Sequence, residues 1–266
     1  MINGKREDGY HLIDTVMQSI SLFDELEIEK AENITLVCDN SEIDGEKNIA
    51  YRAAVVFFKE TEIKGGAKIK INKNIPAAAG LGGGSADAAA VLVALNTLYN
   101  ANLSYEKLCE LGLRLGADVP FFIKGGCQRA EGIGELLTLH KPLQKGYFVL
   151  AKGETKPSTK QMYEIIDNKP TCLVDTKKVI EAVKCNDLNL LSNCMENAFE
   201  TVWSESKIKQ KLLSFSPLAV SLSGSGPTWF ALFEEESKAQ SVLEKLKKEN
   251  IDCFVCEPLE KALIFE

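Results

Sequence analysis

The sequence has little of what metal chemistry requires. It contains 2 histidines among 266 residues, and of its 8 cysteines only Cys253 and Cys256 lie close together. That pair falls in a stretch that reads as a strand, on which residues three apart point to opposite faces, so the two thiols are badly placed to hold one metal. No second cysteine pair accompanies them. We therefore expect buried, reduced thiols without a zinc or redox role.

Charge and hydrophobic patterning disfavour further classes of protein. The net charge is -7 and the isoelectric point is about 5.2, which argues against binding to nucleic acid or to an anionic membrane. No N-terminal stretch joins a basic flank to a long apolar run, as a signal peptide does. The most apolar window, residues 86–99, is too short and too broken to cross a bilayer. We expect a soluble, cytoplasmic protein.

The common nucleotide and nucleophile signatures are missing too. The one long glycine-rich stretch, residues 76–90, reads Pro-Ala-Ala-Ala-Gly-Leu-Gly-Gly-Gly-Ser-Ala-Asp-Ala-Ala-Ala. It is not a P-loop because no Gly-Lys-Ser/Thr follows, and Ser85 stands where a Rossmann fingerprint needs glycine. The chain has no Ser-x-x-Lys or Gly-x-Ser-x-Gly nucleophile and no histidine pair for a metal hydrolase.

What this stretch does contain predicts an anion site. Residues 66–75 alternate between apolar and polar as in a half-buried strand, and residues 86–99 have the composition of a helix. The glycines between them therefore lie in a turn that feeds a helix N-terminus, where unpaired N–H groups and the helix dipole attract phosphate. A purely structural glycine turn is the alternative. Because each glycine is entropically unfavourable, four of them favour phosphate binding.

The remaining pattern predicts an α+β protein in two parts. The first part holds strands at 15–22, 25–31 and 33–37, helices at 50–62 and from Ser104, and a hairpin at 128–131 and 135–139. After a boundary near residue 143 come a strand at 147–151, several helical segments, strands at 218–223 and 228–233, a helix at 237–249 and a strand at 253–256. That order fits a split βαβ sandwich. We predict domains at 1–143 and 144–266.

Two other features suggest what the phosphate is for. Gly116 and Pro120 bracket Asp118, which places this carboxylate in a turn. Residues 223–228 form a second glycine turn, Ser-Gly-Ser-Gly-Pro-Thr. Each feature alone has an ordinary structural explanation. Together with the first glycine stretch they predict phosphoryl transfer, in which loops hold phosphates and a carboxylate orients a hydroxyl group.

These motifs together resemble those of the GHMP kinases. Residues 76–90 are similar to the second motif of that superfamily and residues 221–228 to its third. Asp-Gly-Tyr-His at 8–11 and Leu-Gly-Ala-Asp-Val-Pro-Phe-Phe at 115–122 narrow the resemblance to the 4-diphosphocytidyl-2-C-methyl-D-erythritol kinase family. The likeness covers nearly the whole chain. It implies the GHMP kinase fold of two-layer α/β sandwiches, with an N-terminal nucleotide and substrate domain and a C-terminal ferredoxin-like domain.

The resemblance also implies an activity and its residues. The activity is ATP-dependent phosphorylation, with Mg²⁺, of the 2-hydroxyl of 4-diphosphocytidyl-2-C-methyl-D-erythritol in the non-mevalonate isoprenoid pathway. Asp118 matches the catalytic base, and no residue matches a metal ligand. The positions that match the ATP-phosphate loop are Pro76, Gly80, Leu81, Gly82, Gly83, Gly84 and Ser85. Those that match the substrate site are Tyr10, His11, Thr159, Tyr163, Gly224, Ser225 and Gly226, among which Tyr10, His11 and Tyr163 hold the cytosine. Asn48 matches the adenine side, with helix capping as the alternative.

One departure from the family pattern leaves alternatives open. The family begins with a strand carrying Pro-Ala-Lys-Ile/Leu-Asn-Leu, whose lysine lies beside the catalytic aspartate, and this chain has no counterpart. We expect a truncated or misassigned start; an impaired, ligand-binding relative is the alternative. A second alternative is that the chain is another GHMP kinase, which acts on homoserine or mevalonate. The oligomeric state, monomer or weak dimer, stays open.

Overall fold

Two compact units make up the chain in the computed structural model, which describes residues 2–168, 174–203 and 205–266. The first unit comprises residues 1–21, 78–81 and 126–260, and the second comprises residues 22–77, 82–125 and 261–266. These bounds differ from those of the domains predicted at 1–143 and 144–266, which stay a prediction. Within the described residues, no helix combines the length and apolar character that a membrane crossing needs.

The described residues form strands in three sheets, together with α-helices. The strands are β1 (Ile2–Lys5), β2 (His11–Gln18), β3 (Glu25–Ala31), β4 (Thr35–Cys38), β5 (Gly66–Asn72), β6 (Cys127–Gly132), β7 (Leu136–His140), β8 (Tyr147–Lys152), β9 (Ala219–Leu222), β10 (Thr228–Phe233) and β11 (Cys253–Cys256). The helices are α1 (Ile49–Thr61), α2 (Gly83–Leu98), α3 (Tyr105–Leu113), α4 (Val119–Lys124), α5 (Thr159–Ile166), α6 (Thr176–Cys185), α7 (Leu188–Ser192), α8 (Lys207–Leu213) and α9 (Glu236–Lys248). The mixture confirms the predicted α+β class.

The second unit packs its helices against one mixed sheet. The strand order is β3-β5-β4, with β3 antiparallel and β4 parallel to β5. The central strand alternates as predicted, since Ala67, Ile69 and Ile71 are buried and the lysines between them are exposed. These side chains join one core with Phe57 of α1 and Leu92 of α2. Burial of each large apolar side chain contributes about 1.5–3 kcal/mol, so this core fixes α2 on the sheet.

Local side chains set where the helices of this unit begin. Asn48 accepts a hydrogen bond from the Ala50 amide at 2.8 Å, and Ser104 accepts one from the Lys107 amide at 3.2 Å. These caps confirm the starts predicted for α1 and α3. The predicted start of α2 at residue 86 was wrong by three residues, because Gly82 adopts φ +71° and turns the chain into the helix directly before Gly83.

The first unit contains an antiparallel sheet in the order β1-β2-β6-β7. The β6–β7 hairpin was predicted, whereas β1, anchored by the buried Ile2, was missed. The bounds predicted for β2, residues 15–22, were also wrong. The strand starts at His11, which pairs with Lys5 of β1, and it ends at Gln18. Because β1 has four residues of which only Ile2 is buried, its sequence shows no alternation, and only the pairing reveals the strand.

The second sheet of the first unit confirms the split βαβ sandwich. Its order is β11-β8-β10-β9, and every neighbouring pair is antiparallel. One face carries the buried Val149 and Trp229, which join one core with Met162 of α5 and Leu246 of α9. The extra helices seen in the sequence after the first strand are α5 to α8. They lie between β8 and β9 in the chain, and α8 packs onto this sheet.

The cysteines follow the expectation only in part. The seven described cysteines are free, and the five buried ones are Cys38, Cys127, Cys194, Cys253 and Cys256. Cys109 is half-buried and Cys185 is exposed at the end of α6, so burial of every thiol was a wrong prediction. Cys172 lies outside the described residues.

Candidate active site

The glycine-rich stretch turns sharply where α2 begins. Gly82 is the N-cap of α2 in the left-handed region, and a Cβ at this position would lie 2.5 Å from the Phe122 ring. A Cβ on Gly83 would lie 2.8 Å from a methyl group of Ile75. Glycine is therefore required at both positions, at the point where the first N–H groups of a sixteen-residue helix are unpaired.

The beginning of this stretch packs against the second glycine turn. Gly80 has φ +77°, and a Cβ there would lie 2.7 Å from the carbonyl oxygens of both Ser223 and Gly226. The Ser223 hydroxyl donates to the Gly80 carbonyl at 2.8 Å, and the Thr228 amide donates to the Ala79 carbonyl at 3.2 Å. The two motifs that the sequence singled out separately are thus in direct contact.

Side chains from the inserted helical region brace the second turn. Asn197 donates to the carbonyls of Leu222 and Gly224 at 2.7 and 2.8 Å. Glu200 accepts from the Ser221 hydroxyl at 2.7 Å and from the Leu222 amide at 3.0 Å. Sequence reasoning missed both residues, since nothing near them in the chain marks a partner more than twenty residues away.

A hydroxyl pair joins the second turn to α5. Thr159, the first residue of α5, lies 2.8 Å from Ser225 between the two side-chain oxygens. Both residues were matched to the substrate site, and the fold brings them together. Both are solvent-accessible, so a ligand oxygen can replace either partner of this hydrogen bond.

Asp118 stands at the N-cap of α4, which confirms a turn position for its carboxylate. The side chain makes no capping hydrogen bond. Surrounding protein atoms desolvate the carboxylate and raise the pKa of Asp118 above its usual range, although the residue as a whole is solvent-exposed. The same short helix carries Phe122, whose ring lies against Gly82. Helix α4 therefore ties the carboxylate to the glycine stretch through four residues. The sequence predicts the turn at Asp118 but not the short helix that follows it.

The residues matched to the cytosine site form a cluster in the first unit. His11 stacks on Tyr163 with ring centroids 4.3 Å apart and an interplanar angle of 16°. No third ring fits between rings this close, so His11 and Tyr163 do not sandwich a base between them. Tyr10 is 60% exposed and leaves its ring to the solvent.

A carboxylate missed by sequence reasoning orients this cluster. Asp167 lies 2.6 Å from His11 Nε2 and 3.1 Å from Lys5 Nζ through its two oxygens. Hydrogen bonds from His11 and Lys5 lower the pKa of Asp167, so it remains ionised. Its position four residues after Tyr163 puts both on one helical face, and this spacing was the available signal.

Asn48 acts as a helix cap. Besides accepting from Ala50, its amide donates to the Ile43 carbonyl at 2.7 Å, and the residue is buried. Both polar atoms of the side chain are therefore engaged within the second unit. The capping alternative describes this geometry, and the adenine contact stays a prediction.

A buried ion cluster lies beside the glycine stretch. Lys73 Nζ contacts Asp24 and also lies 2.8 Å from Asp87 Oδ2, and all three side chains are at most 7% exposed. Nothing in the sequence singles out Asp24 or Lys73, and Asp87 was noted only as part of the glycine-rich stretch. Only the fold brings together positions 24, 73 and 87.

No group of three or more His, Cys, Asp or Glu side chains within the described ranges is arranged to hold a metal ion.

The remaining positions of the predicted phosphate loop follow from the chain. Ser85 lies in the first turn of α2 and Pro76 precedes the first glycine. Leu81 follows Gly80 in the same turn. These three positions belong to the predicted phosphate loop by continuity of the chain.

Comparison with known proteins agrees with this geometry. Residues 48–126 match the family described as GHMP kinases N terminal domain, and residues 179–252 match GHMP kinases C terminal. A protein of Clostridium perfringens named 4-diphosphocytidyl-2-C-methyl-D-erythritol kinase is 44% identical over 253 residues, which is 92% of this chain and 88% of that protein. A protein of the same name from Clostridium beijerinckii is 42% identical over 96% of this chain and 94% of its own. A crystal structure of 4-(cytidine 5'-diphospho)-2C-methyl-D-erythritol kinase superposes with a TM-score of 0.80 at 31% identity, covering 96% of this chain and 94% of that one.

Proposed function

The chain belongs to the 4-diphosphocytidyl-2-C-methyl-D-erythritol kinase family of the GHMP kinases, and on that premise we propose that it transfers the γ-phosphoryl group of ATP to the 2-hydroxyl of 4-diphosphocytidyl-2-C-methyl-D-erythritol. The chain is a small-molecule kinase of isoprenoid precursor biosynthesis. The observation that carries the finer proposal is the glycine cradle at the N-terminus of α2, where Gly82 and Gly83 leave no room for a Cβ and the first amides of the helix are unpaired.

The phosphate end of the reaction belongs to this cradle. The unpaired N–H groups of the first turn of α2 point toward an anion, and the helix dipole adds a favourable field. Gly82 is required because a Cβ there would meet the Phe122 ring, and the left-handed turn that it makes leads directly into the first, unpaired amides of α2. The residues of this loop are Pro76, Gly80, Leu81, Gly82, Gly83, Gly84 and Ser85.

Asp118 supplies the base. It accepts the proton of the acceptor hydroxyl as that oxygen bonds to the γ-phosphorus and ADP leaves. The hydroxyl O–H bond and the bond between the γ-phosphorus and ADP break, and a new O–P bond and an O–H bond on Asp118 form. A raised pKa suits this role, because a carboxylate that is reluctant to be ionised takes up a proton more readily. Its lack of a capping hydrogen bond leaves the oxygens available to the substrate.

The cytidine end of the substrate is proposed to bind at the His11–Tyr163 stack. Asp167 holds the imidazole through Nε2, and Tyr163 supports its face. We place the cytosine beside this stack, with the exposed ring of Tyr10 closing over it, since stacking on aromatic rings contributes about 1–3 kcal/mol per base. We assign Thr159, Gly224, Ser225 and Gly226, which lie in the same unit as this stack, to the remainder of the substrate site.

The donor set of the protein fits Mg²⁺ held chiefly by ATP. Magnesium keeps several waters and usually takes one or two carboxylates together with substrate phosphates. That demand is compatible with a described region that offers no cluster of three or more acidic or imidazole side chains. Mg²⁺ supplies charge neutralisation on the phosphoryl oxygens when bound. No residue of the chain is assigned to it.

A coupled assay of ADP release tests the function. We expect turnover with 4-diphosphocytidyl-2-C-methyl-D-erythritol and none with homoserine or mevalonate at equal concentration. Comparable turnover with either of those alcohols would identify another GHMP kinase. Binding of the cytidine compound without ADP release would identify an impaired ligand-binding relative.

Tyr163→Ala should raise the KM for the cytidine substrate and leave the KM for ATP nearly unchanged. Tyr163 supports the imidazole of His11, beside which the base is proposed to stack, and loss of one base-stacking contact corresponds to an increase of about 5- to 150-fold. Tyr163→Phe is the matched control, because it keeps the ring that contacts His11, and its KM should stay close to that of the unaltered protein. An equal rise in the KM for ATP would contradict the assignment of this cluster to cytosine.

A further inference from the structure

Asp24, Lys73 and Asp87 form a closed ion triad in the second unit. Lys73 contacts both carboxylates, and the side chains of the two aspartates are each only 2% exposed. Asp24 also accepts from the Asn74 and Ile75 amides at 2.7 and 2.8 Å. Its hydrogen-bonding capacity is therefore used by three donors. Asp87 accepts from the lysine through Oδ2, its Oδ1 is buried without a hydrogen-bond partner, and the neighbouring Asp24 carboxylate adds to the rise of the Asp87 pKa.

The triad has an excess of one negative charge when all three side chains are ionised, which is unfavourable in a buried site. With one lysine and two carboxylates ionised its net charge is -1, which a desolvated environment disfavours. Burial raises the pKa of Asp87 to about 7 despite the attraction of Lys73. Cys38 of β4 is a further titratable group near the cluster, and burial raises the pKa of its thiol, so it stays neutral there. Asp87 is therefore the member of the triad that gains or loses a proton near neutrality.

The triad connects the residues before the glycines to those after them. Lys73 precedes the glycine-rich stretch by three residues, and Asp87 lies within it, after the last glycine and in the second turn of α2. Helical side chains point back toward the N-terminus, so Asp87 lies over the turn that contains Gly83. A Cβ on Gly83 would also lie 3.4 Å from Asp24 Oδ2. The cluster thus packs against the first turn of α2.

A phosphate and an ionised Asp87 compete for the same positive field. Both lie at the N-terminus of α2, whose dipole favours one negative charge, and two negative charges at short range in a partly desolvated site repel each other. Neutral Asp87 removes that repulsion. It also keeps the hydrogen bond from Lys73 to Oδ2, because the carbonyl oxygen of a carboxylic acid still accepts.

We propose that the triad is a positioning device for the phosphate loop, and that Asp87 takes up one proton from solvent when phosphates bind there. This inference rests on the proposed function of the loop. Lys73 holds the two ends of the stretch together through both aspartates, and the proton cancels the surplus charge. ATP affinity should consequently fall as the pH rises through the pKa of Asp87.

Proton uptake on nucleotide binding tests the proposal. The non-hydrolysable analogue AMP-PNP is titrated calorimetrically into the full chain in buffers of different ionisation enthalpy, at a pH close to the pKa of Asp87. We expect the unaltered protein to take up about half a proton more than Asp87→Asn, which corresponds to a change of about threefold in affinity per pH unit. Glu27→Gln is the matched control, an equal change of charge at an exposed carboxylate of the same unit, and it should behave as the unaltered protein.

The outcomes separate the two proposals. Equal uptake by the unaltered protein and Asp87→Asn would overturn the role of Asp87 alone. Failure of AMP-PNP to bind the unaltered protein would overturn the proposed function as well. If Asp87→Asn does not fold, infrared difference spectra of the unaltered protein decide. A protonated carboxyl band that appears on binding AMP-PNP supports the proposal, and its absence contradicts it.

Discussion

Asp118→Asn should lower kcat by a factor of about 10²–10⁴ while leaving the affinity for ATP nearly unchanged. An amide has the shape of the carboxylate but cannot accept the hydroxyl proton. Helix α4 and the contact of Phe122 with Gly82 do not involve the Asp118 side chain, since this side chain makes no capping hydrogen bond. The loop that is proposed to hold the phosphates should therefore survive the substitution.

Steady-state kinetics with 4-diphosphocytidyl-2-C-methyl-D-erythritol, together with calorimetric ATP binding, measures both quantities. Glu106→Gln on α3 is the matched control, because it makes the same charge change at an exposed position of the same unit. It should leave kcat unchanged. Equal turnover by Asp118→Asn and the unaltered protein would remove Asp118 from the mechanism.

The pH profile of kcat/KM, which reports the pKa values of the free enzyme, follows from the same carboxylate. Desolvation raises the pKa of Asp118, and only the ionised form can accept a proton. Activity is therefore present above this raised pKa and is lost as the pH falls through it. The acid limb should lie above the usual carboxyl range of about 4. An acid limb at or below that range would contradict the desolvated position.

Gly80→Ala should lower the melting temperature by on the order of 10 °C and abolish most kinase activity. The left-handed backbone disfavours alanine by about 1–2 kcal/mol. The Cβ would also lie 2.7 Å from two carbonyl oxygens, and neither carbonyl belongs to a flexible side chain that could move aside. The second glycine turn must therefore shift away, and the hydrogen bond from Ser223 to Gly80 is weakened.

Gly224→Ala separates the two contributions. Gly224 also has positive φ, +54°, but a Cβ there would meet only the Gly80 carbonyl at 3.4 Å. This variant should show the backbone strain without the clash, so its melting temperature should fall by only about 2–8 °C. Scanning calorimetry of the two variants measures the difference. Equal destabilisation would mean that the close packing of the two turns does not require glycine at position 80.

Two carboxylates of the second unit have raised pKa values for different reasons. For Asp118 the cause is desolvation alone, and the oxygens are left for a substrate. For Asp87 desolvation outweighs the attraction of Lys73, and the oxygens face the protein interior. The first arrangement suits a base that meets a hydroxyl. The second suits a group that adjusts the charge behind a phosphate site.

Much of the fold followed from local patterns. The alternation of β5 and the caps of α1 and α3 were readable from local spacing, and the strand and helix order after residue 147 was sufficient to predict the split βαβ sandwich. Misses occurred where the pattern was short or the determinant distant. β1 has four residues, α4 has six, and α2 starts early because Gly82 adopts a left-handed conformation against Phe122.

The sequence alone predicted turns in the glycine stretch, at residues 223–228 and at Asp118, because the conformation of a turn depends on residues within a few positions. Only the tertiary structure decided which of these residues are in contact with one another. It placed Gly80 against the turn of Gly226, Asp167 on His11, and Lys73 between two aspartates. The physical reason is that pairing and desolvation depend on residues many positions apart in the chain, which no local spacing encodes.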